Sequence, residues 1–307
     1  MDYNDYGTHM AITKPIRNKI QALKKEFDAL RKGKESLLIM IDDAEIPEGV
    51  YNSNAIENST LTLKETEKIL LEMEVSRNVS LREIYEAKNL AGVINYIRNK
   101  IQGMELSKET ILLLHQMLIG GIDDSIAGRF RKKGEYVRIG THIAPAPEHV
   151  ESLINNALAE YSGNLESYFV DKIAKFHLDF ETVHPFCDGN GRIGRVLMNF
   201  QLMKLGFPFV IIRDKGKQEY YDAFKKYRES RDKNARTMEK IIGLAVIESL
   251  HKRIAYLKGE NIITLAGYAK KNKKSATAVS NAARRQNIPA FREKSVWKIG
   301  ESYNEDG

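Results

Sequence analysis

The sequence predicts an all-α core that carries one β-hairpin, followed by a small helix-turn-helix or winged module. Apolar residues recur at helical spacing through most of the first 250 residues. One segment rich in glycine and β-forming residues interrupts this pattern, and basic residues concentrate near the end of the chain. A chain of 307 residues is long enough for one large domain and one small domain.

The composition excludes several classes of protein. A hydrophobic fraction of 42% and a mean hydropathy of −0.42 exclude a disordered chain and a polytopic membrane protein. No apolar run approaches the roughly 18–20 residues of a membrane span, and we expect neither a signal peptide nor a membrane partner. Because Cys187 is the only cysteine, a disulfide framework and a cysteine-rich zinc site are excluded, and a cytoplasmic location is expected.

The helices of the core are predicted from caps and from apolar spacing. Thr62–Glu65 and Ser80–Glu83 both match a capping box ahead of an apolar pattern. One later helix has a buried stripe with steps of four and three residues, formed by Phe169, Ile173, Phe176, Phe180 and Val183. A second buried helix follows a short polar loop and contains Ile193, Val196, Leu197, Phe200 and Leu205.

Residues 128–147 depart from the helical pattern. Tyr136, Val137 and Ile139 lie among glycines, and two prolines close the segment, which predicts a short β-hairpin. A lone hairpin in a helical protein is either a lid or binding edge or a simple connector, and the pattern alone favours neither.

The densest polar cluster, residues 184–195, lies between the two buried helices. Gly189 and Gly191 allow close backbone approach just before the second helix, whose free amides and positive dipole end predict an anion site. Arg192 and Arg195 lie three residues apart on one face of that helix, where they can bind further phosphate oxygens.

Two more residues of this loop supply chemistry. Asp188 can hold a Mg²⁺ that bridges phosphates, and His184 can accept a proton from an attacking hydroxyl. Taken singly, such residues usually have structural roles: a histidine at a helix end caps it, a glycine pair makes a turn, and arginines form a solvated face. Their combination within twelve residues favours phosphate binding.

This loop resembles the signature of the Fic family, His-x-Phe-x-Asp/Glu-Gly-Asn-Gly-Arg-x-x-Arg, and matches it at every fixed position. The resemblance covers roughly residues 50–230. It extends to Gly128-Arg129-Phe130-Arg131 and Val137–Gly140, to the segment from Leu197 through Pro208, and to Tyr220-Tyr221.

The resemblance implies transfer of AMP from ATP, with Mg²⁺, to a hydroxyl of a target protein or of the chain itself. His184 would be the base, Asp188 would bind Mg²⁺, and Phe186 would pack inward to fix the loop. Arg195 would hold the γ-phosphate, and the hairpin would be a flap that aligns the target by strand addition. The implied nucleotide contacts are Val137, Arg138, Ile139, Gly140, Gly189, Asn190, Gly191, Arg192, Arg195, Tyr220 and Tyr221.

Position 191 bears on the reaction. Related Doc-like kinases carry a lysine where this chain has Gly191, so the glycine favours AMP transfer over phosphoryl transfer. The loop alone does not distinguish AMP transfer from phosphocholine transfer.

Residues 53–58 resemble the inhibitory motif of the family, Ser/Thr-x-x-x-Glu-Gly/Asn, on a helix expected at about residues 51–58. Ser53 and Glu57 lie four residues apart and so face the same way on a helix. Glu57 would then pair with Arg195 and remove the partner of the γ-phosphate. The same glutamate can align a water for removal of AMP, so an enzyme with both activities is also implied.

The C-terminal segment carries the basic charge. Residues 251–300 contain twelve Lys and Arg against two Glu, a net charge of +10, whereas the rest of the chain sums to −3. Short helices at Thr264–Ala269 and Ser275–Gln286, then a two-stranded wing at Ile288–Phe291 and Ser295–Ile299, are predicted. Such a module either binds DNA or serves as a surface for protein docking or for a homodimer.

These observations divide the chain into N-terminal helices (1–110), a catalytic core (111–258) and the basic module (259–307). The last boundary follows a long helix through Ile241–Tyr256, and about eight helices are expected before it. The favoured function is a protein adenylyltransferase inhibited by Glu57. The alternative is a DNA-binding regulator whose loop senses nucleotide.

Overall fold

The computed structural model describes residues 13–75 and 78–304, and helices dominate them. The first ten helices form the body of the molecule, and α11 and α12 belong to the C-terminal module. The helices are α1 Lys14–Leu30, α2 Glu35–Ile56, α3 Leu63–Glu67, α4 Leu81–Lys100, α5 Lys108–Ile119, α6 Pro147–Gly163, α7 Phe169–Val183, α8 Asn190–Lys204, α9 Lys217–Glu229, α10 Arg236–Leu257, α11 Leu265–Lys271 and α12 Ala276–Arg284. The predicted all-α core is therefore confirmed, with more helices than expected.

Short strands form two separate sheets. The predicted hairpin consists of β1 Arg138–Ile139 and β2 His142–Ile143, which pair antiparallel with Arg138 opposite Ile143. The second sheet contains β3 Ile262–Thr264, β4 Phe291–Glu293 and β5 Val296–Gly300 in the order β3-β5-β4, all antiparallel.

Helix α7 lies between two apolar cores, and this placement fixes the loop that follows it. Phe176 and Phe180 pack into the core that α4, α5 and α8 share. Ile173 and Leu178 pack into a second core with α1, α9 and α10. Because a helix buried on opposite faces cannot rotate without opening a cavity, the residue at its C-terminal end has a defined position.

The second half of α2 is buried and rich in charge. Glu45 and Glu48 are 5% and 4% exposed, and residues 52–56 are buried as well. Arg253 of α10, itself 1% exposed, donates to Glu45 and to Asp42. Removing one partner of such a buried ion pair strongly destabilises the fold. These pairs therefore fix the position of α2 against α10.

The C-terminal module differs in detail from the prediction. It has a third strand, Ile262–Thr264, ahead of its helices, and its second strand begins only at Phe291. Both helices begin where their caps predict, because Thr264 Oγ1 accepts from Gly267 N and Ser275 Oγ accepts from Ala278 N. The module packs around its own small core, which includes Leu265, Tyr268, Val279, Ile288 and Ile299.

Other local expectations meet mixed outcomes. Thr62 forms a complete capping box with Glu65, as predicted, and the Ser80 hydroxyl accepts from Glu83 N. Leu205 lies just past the end of α8 and is 45% exposed, so its assignment to the buried stripe was wrong. In the described part of the chain, no helix is long and apolar enough to cross a membrane.

Candidate active site

His184 ends α7 in a left-handed backbone conformation, with φ 50° and ψ 64°. This conformation is uncommon for a residue with a side chain and frequent at functional turns. Burial lowers the pKa of His184 to about 4, against a smaller rise from a hydrogen bond to the Glu181 backbone. The imidazole is therefore neutral near pH 7 and able to accept a proton.

The loop after His184 is clamped from inside. Asn190 Oδ1 accepts from Phe186 N at 2.9 Å, and Asn190 Nδ2 donates to Phe186 O at 2.8 Å. Phe186 is fully buried and stacks on His115 at 3.6 Å between ring centroids. Nε2 of the His115 ring lies 3.0 Å from Asp188 O. The family resemblance implies the inward packing of Phe186, whereas nothing in the sequence indicated the role of His115.

Gly189 is the N-cap residue of α8 and forms the last turn of the loop. Its φ of 78° suits glycine, and a Cβ there would lie 3.1 Å from Leu118 and from Ile119. The helix then starts at Asn190 with no side-chain cap on Gly189. The N-terminus of α8 accordingly offers free amides and its positive dipole end to an anion.

Arg131 joins the hairpin segment to the loop. Its guanidinium donates to His184 O at 2.9 Å, to Glu135 O at 3.0 Å and to Pro145 O at 2.8 Å. The side chain is 3% exposed, so these carbonyls have little access to water as an alternative partner. Arg131 belongs to a segment that resembles the family, but the sequence indicates no role for it because its partners are distant along the chain.

Asp188 is placed beside the helix N-terminus. Its Oδ1 accepts from Arg192 at 3.1 Å, and its Oδ2 accepts from Arg82. Burial alone would raise the pKa of Asp188, but the charge of Arg192, the Gly189 amide and Arg82 outweigh it and lower the pKa. The carboxylate is therefore ionised and about one-third exposed.

The two arginines of α8 have different surroundings. Arg192 is 3% exposed and lies 3.1 Å from both Asp188 and Glu86, so it orients Asp188. Arg195 is 5% exposed and turns toward the end of α2. The sequence placed both arginines on one face to bind phosphate, whereas their present partners are carboxylates of this chain.

Arg195 is surrounded by the residues of the predicted inhibitory motif. It donates to Glu57 Oε1 at 2.8 Å, to Ser53 Oγ at 2.9 Å and to Ser53 O at 2.8 Å. Burial would lower the pKa of Arg195, but Glu57 outweighs it, so the pKa is raised and the guanidinium stays charged. The helix ends at Ile56, earlier than expected, and Glu57 follows as its cap residue.

Glu57 lies over the N-terminus of α8. A Cβ added to Gly191 would lie 2.1 Å from Glu57 Oε1, closer than real contacts allow. A side chain at position 191 would therefore require the Glu57 carboxylate to shift from its present place. A carboxylate at a helix N-terminus and against an arginine occupies the place that the sequence assigns to a phosphate.

A buried tyrosine hydroxyl lies next to the Arg195 guanidinium. Tyr220 is 2% exposed, and its hydroxyl lies 2.7 Å from His177 Nε2 and 3.5 Å from Arg195. Tyr221 is 37% exposed and donates to Ile56 O at the end of α2. Since Tyr220 is enclosed, its ring has no open face for a nucleotide base, and Tyr221 is the more accessible of the two.

Glu181, one turn before His184, is a buried carboxyl that sequence reasoning missed. Burial raises its pKa to about 8, and Glu57 adds to the rise, against lowering by Arg195 and Arg228. Its Oε2 lies 3.7 Å from His184 Nδ1, and a Cβ on Gly194 would lie 2.4 Å from its Oε1. The i, i+3 spacing from His184 was the available signal.

The hairpin stands above the loop and exposes an edge. Val137 O accepts from Ala144 N, and Gly140 has a φ of 58° in the tight turn. Arg138 is exposed, and Ile143 on the paired strand is 71% exposed. His142 Nε2 lies 3.0 Å from Thr182 O and ties the second strand to α7.

Comparisons with known proteins find similarity to Fic proteins. Residues 105–202 match the model of the Fic/DOC family. The chain is 32% identical over 214 residues to protein adenylyltransferase Fic of Drosophila willistoni, covering 68% of this chain and 41% of that protein. The chain thus spans about two fifths of the length of the curated relatives it matches.

Solved structures extend the similarity. A Fic-domain-containing signalling protein from Bacteroides thetaiotaomicron has a TM-score of 0.71 at 26% identity, covering 79% of this chain and 98% of that one. A Fic family protein from Desulfovibrio desulfuricans shares the fold at 19% identity, with a TM-score of 0.66 over 96% of this chain and 98% of its own.

Proposed function

The chain belongs to the Fic/DOC family, and on that premise we propose that it is a protein adenylyltransferase. It transfers AMP from ATP to a Ser, Thr or Tyr hydroxyl of a target protein, which includes the chain itself. The observation that carries the proposal is the neutral His184 at the edge of an anion site on α8. The names of the relatives favour this enzyme over the nucleotide-sensing regulator.

The transfer needs one base and a fixed phosphate chain. The hydroxyl oxygen of the target attacks the α-phosphorus, its proton passes to the His184 imidazole, and the bond to the leaving pyrophosphate breaks. The amides of Asn190 and Gly191 bind the phosphates at the helix N-terminus, together with the amide of Gly189, which donates to Asp188 Oδ1 in the present structure. Positioning and charge neutralisation account for most of the catalysis of such transfers.

Asp188 is the residue that would hold Mg²⁺. One ionised, partly exposed carboxylate beside a phosphate site suits this ion, which binds few protein ligands and completes its shell with phosphate oxygens and water. No cluster of three or more ligand residues exists within residues 13–75 and 78–304, and this mode of binding requires none. Mg²⁺ would neutralise phosphate charge, while Arg192 keeps Asp188 oriented.

Glu57 keeps the enzyme inactive until it leaves Arg195. Its carboxylate holds the guanidinium that the γ-phosphate of ATP needs, so productive binding of ATP requires Glu57 to move. The flap edge then aligns the target backbone. With AMP already on a target, a Glu57 that stays near Gly191 can orient a water for removal of AMP, which gives the enzyme its second direction.

Labelling with nucleotide tests the proposal. We expect strong label from α-labelled ATP with Mg²⁺ on Glu57→Gly protein, little on wild type, and none on Glu57→Gly/His184→Ala. Label from the γ-position would indicate kinase chemistry and would contradict the proposal. Absence of label from either nucleotide on Glu57→Gly, with and without a lysate that supplies targets, would favour the regulator.

We also propose double-stranded DNA as a partner of the C-terminal module. Residues 276–278, Asn281 and Arg284 of α12 are exposed, as a recognition helix requires. Arg284→Glu should weaken binding to a DNA duplex, measured by fluorescence anisotropy, and make that binding less dependent on salt. Unchanged anisotropy would indicate that the module is a surface for binding protein. Sedimentation of the same protein tests the expected homodimer.

A further inference from the structure

The turn between β4 and β5 contacts the body of the molecule through its backbone. This hairpin tip, defined as Lys294 and Ser295, directs both of its backbone amides at Glu48 of α2. The Lys294 amide donates to Glu48 Oε2 at 3.1 Å, and the Ser295 amide donates to Glu48 Oε1 at 3.0 Å. Glu48 is 4% exposed, so these amides provide partners that water cannot replace.

The shape of the hairpin tip serves this contact. Lys294 has a φ of 50° and Ser295 a φ of 66°, and the two residues form the whole loop between the paired positions Glu293 and Val296. Left-handed conformations at both loop positions are unfavourable without glycine or asparagine. The unfavourable turn conformation thus occurs where two backbone amides donate to the Glu48 carboxylate.

A line of alternating charges reinforces the contact. Glu48 also accepts from Arg213, which lies 3.2 Å from Glu248 of α10. Glu248 in turn binds the Arg292 guanidinium of β4. Every member is at least half-buried, and the side chain of Glu48 is enclosed by this line and the hairpin tip.

Glu48 lies on the same buried half-helix as the inhibitory residues. Glu57 follows Glu48 by nine positions, which corresponds to about 13 Å along a helix axis. Residues 52–56 between them are buried, and Asn52 Oδ1 accepts from Asp214 N as a further anchor. A rigid helix transmits a displacement at Glu48 to its own C-terminal end, where Glu57 meets Arg195.

We propose that Glu48 is a positioning residue for Glu57, through which the C-terminal module sets how firmly the inhibitory carboxylate sits on Arg195. While the hairpin tip holds Glu48, α2 stays seated. Loss of the hairpin tip loosens the part of α2 that follows Glu48 and opens the γ-phosphate site, while the pairs of Arg253 with Asp42 and Glu45 still hold the first part of the helix. The proposal rests on the adenylyltransferase activity proposed above. By linkage, ATP that displaces Glu57 loosens the hairpin tip by the same factor.

The test places Glu48→Gln in the wild-type and Glu57→Gly backgrounds. Glutamine keeps the shape of the side chain and removes the charge that two amides and Arg213 stabilise. In the wild-type background we expect self-labelling from α-labelled ATP to rise about 5-fold or more, with a lower KM for ATP. In the Glu57→Gly background, where nothing remains to be positioned, we expect a change below about 2-fold.

Lys19→Ala is the matched control. Lys19 of α1 donates to Gln286 O of the module, so its loss breaks a contact between body and module that does not involve α2. We expect wild-type labelling in both backgrounds. An equal fall of Glu48→Gln activity in both backgrounds, or no rise while Glu57→Gly is active, would overturn the proposal.

Hydrogen exchange separates this proposal from the proposed function. If Glu57→Gly is not labelled at all, the adenylyltransferase proposal fails, and the positioning role is decided by exchange of the amides at residues 53–58. Faster exchange there in Glu48→Gln than in Lys19→Ala supports the role. Equal exchange in the two variants overturns it.

Discussion

The proposed catalytic loop, residues 184–190, and the proposed inhibitory end of α2, residues 53–57, both adjoin Arg195 or its helix but are fixed in different ways. The loop is held by buried side chains that bond its backbone, and water cannot replace those partners. Glu57 is held through its side chain, which is 38% exposed and can be hydrated again on leaving. The difference indicates a rigid catalytic loop and a releasable inhibitor.

Asn190→Ala should give the largest loss, because it removes both hydrogen bonds that clamp Phe186. We expect labelling in the Glu57→Gly background to fall about 100-fold or more. Two buried backbone groups lose their partners, so the free energy of unfolding should fall by about 2–4 kcal/mol in urea titrations. Exposed Asn95→Ala is the control, and retention of activity by Asn190→Ala would show that the loop needs no clamp.

Arg131→Lys should come next in size. Lysine keeps the charge but cannot reach His184 O, Glu135 O and Pro145 O together. We expect kcat in the Glu57→Gly background to fall about 10- to 50-fold while the protein stays folded by circular dichroism. Arg129→Lys is the matched control, because Arg129 donates to Glu135, Ser125 O and Phe130 O, which lie outside the loop. Equal effects of the two variants would contradict a specific link to His184.

The free energy of unfolding should depend on pH through Glu181, and this dependence should be larger when Glu57 is present. Its pKa is about 8 in the folded chain against 4.5 for an ordinary glutamate, so between those pH values the folded state keeps a proton that the unfolded state loses. The free energy of unfolding therefore decreases as pH rises through that window, and this contribution is lost above pH 8.

Glu181→Gln removes that dependence and isolates it from other titrating groups such as His184. From pH 5 to pH 8 we expect the stability of the variant relative to wild type to increase by about 1–2 kcal/mol. Because Glu57 helps to raise this pKa, the increase should be smaller in the Glu57→Gly background. An equal pH dependence in wild type and Glu181→Gln would show that Glu181 is ionised throughout.

Local spacing in the sequence predicts features that are contiguous along the chain, namely the loop motif and the two helices around it. The pairing of Glu57 with Arg195 joins residues 138 positions apart and is implied by the family resemblance alone. The contact of Arg131 with His184 spans 53 residues, and no periodicity reports such a contact. The third strand of the module was missed for the same reason, since Ile262 pairs with Gly300.

Burial explains the remaining differences. Adjacent tyrosines looked equivalent in the sequence, yet Tyr220 is enclosed beside His177 and Tyr221 is partly exposed beside α2. The sequence predicts a two-stranded wing and indicates no partner for its tip, whereas Glu48 accepts hydrogen bonds from that tip in the structure. Charge counts along a sequence do not show which charges meet partners in the fold.

Tyr221→Phe should give the smallest effect and test the releasable side of the comparison. The variant loses one hydrogen bond to Ile56 O, and water can replace it because Tyr221 is 37% exposed. We expect labelling to rise less than about 3-fold in the wild-type background, since one such bond contributes about 1 kcal/mol or less. No change is expected in the Glu57→Gly background.

Tyr85→Phe removes a hydroxyl from a similarly exposed tyrosine on α4 and is the control. A strong loss of activity for Tyr221→Phe in both backgrounds would instead assign Tyr221 to the nucleotide site, as the family resemblance implies. The end of α2 would then be held mainly by Glu57 and Ser53 on Arg195. In that case the inhibitor would be released by loss of those contacts alone, and the contrast with the rigid loop would become sharper.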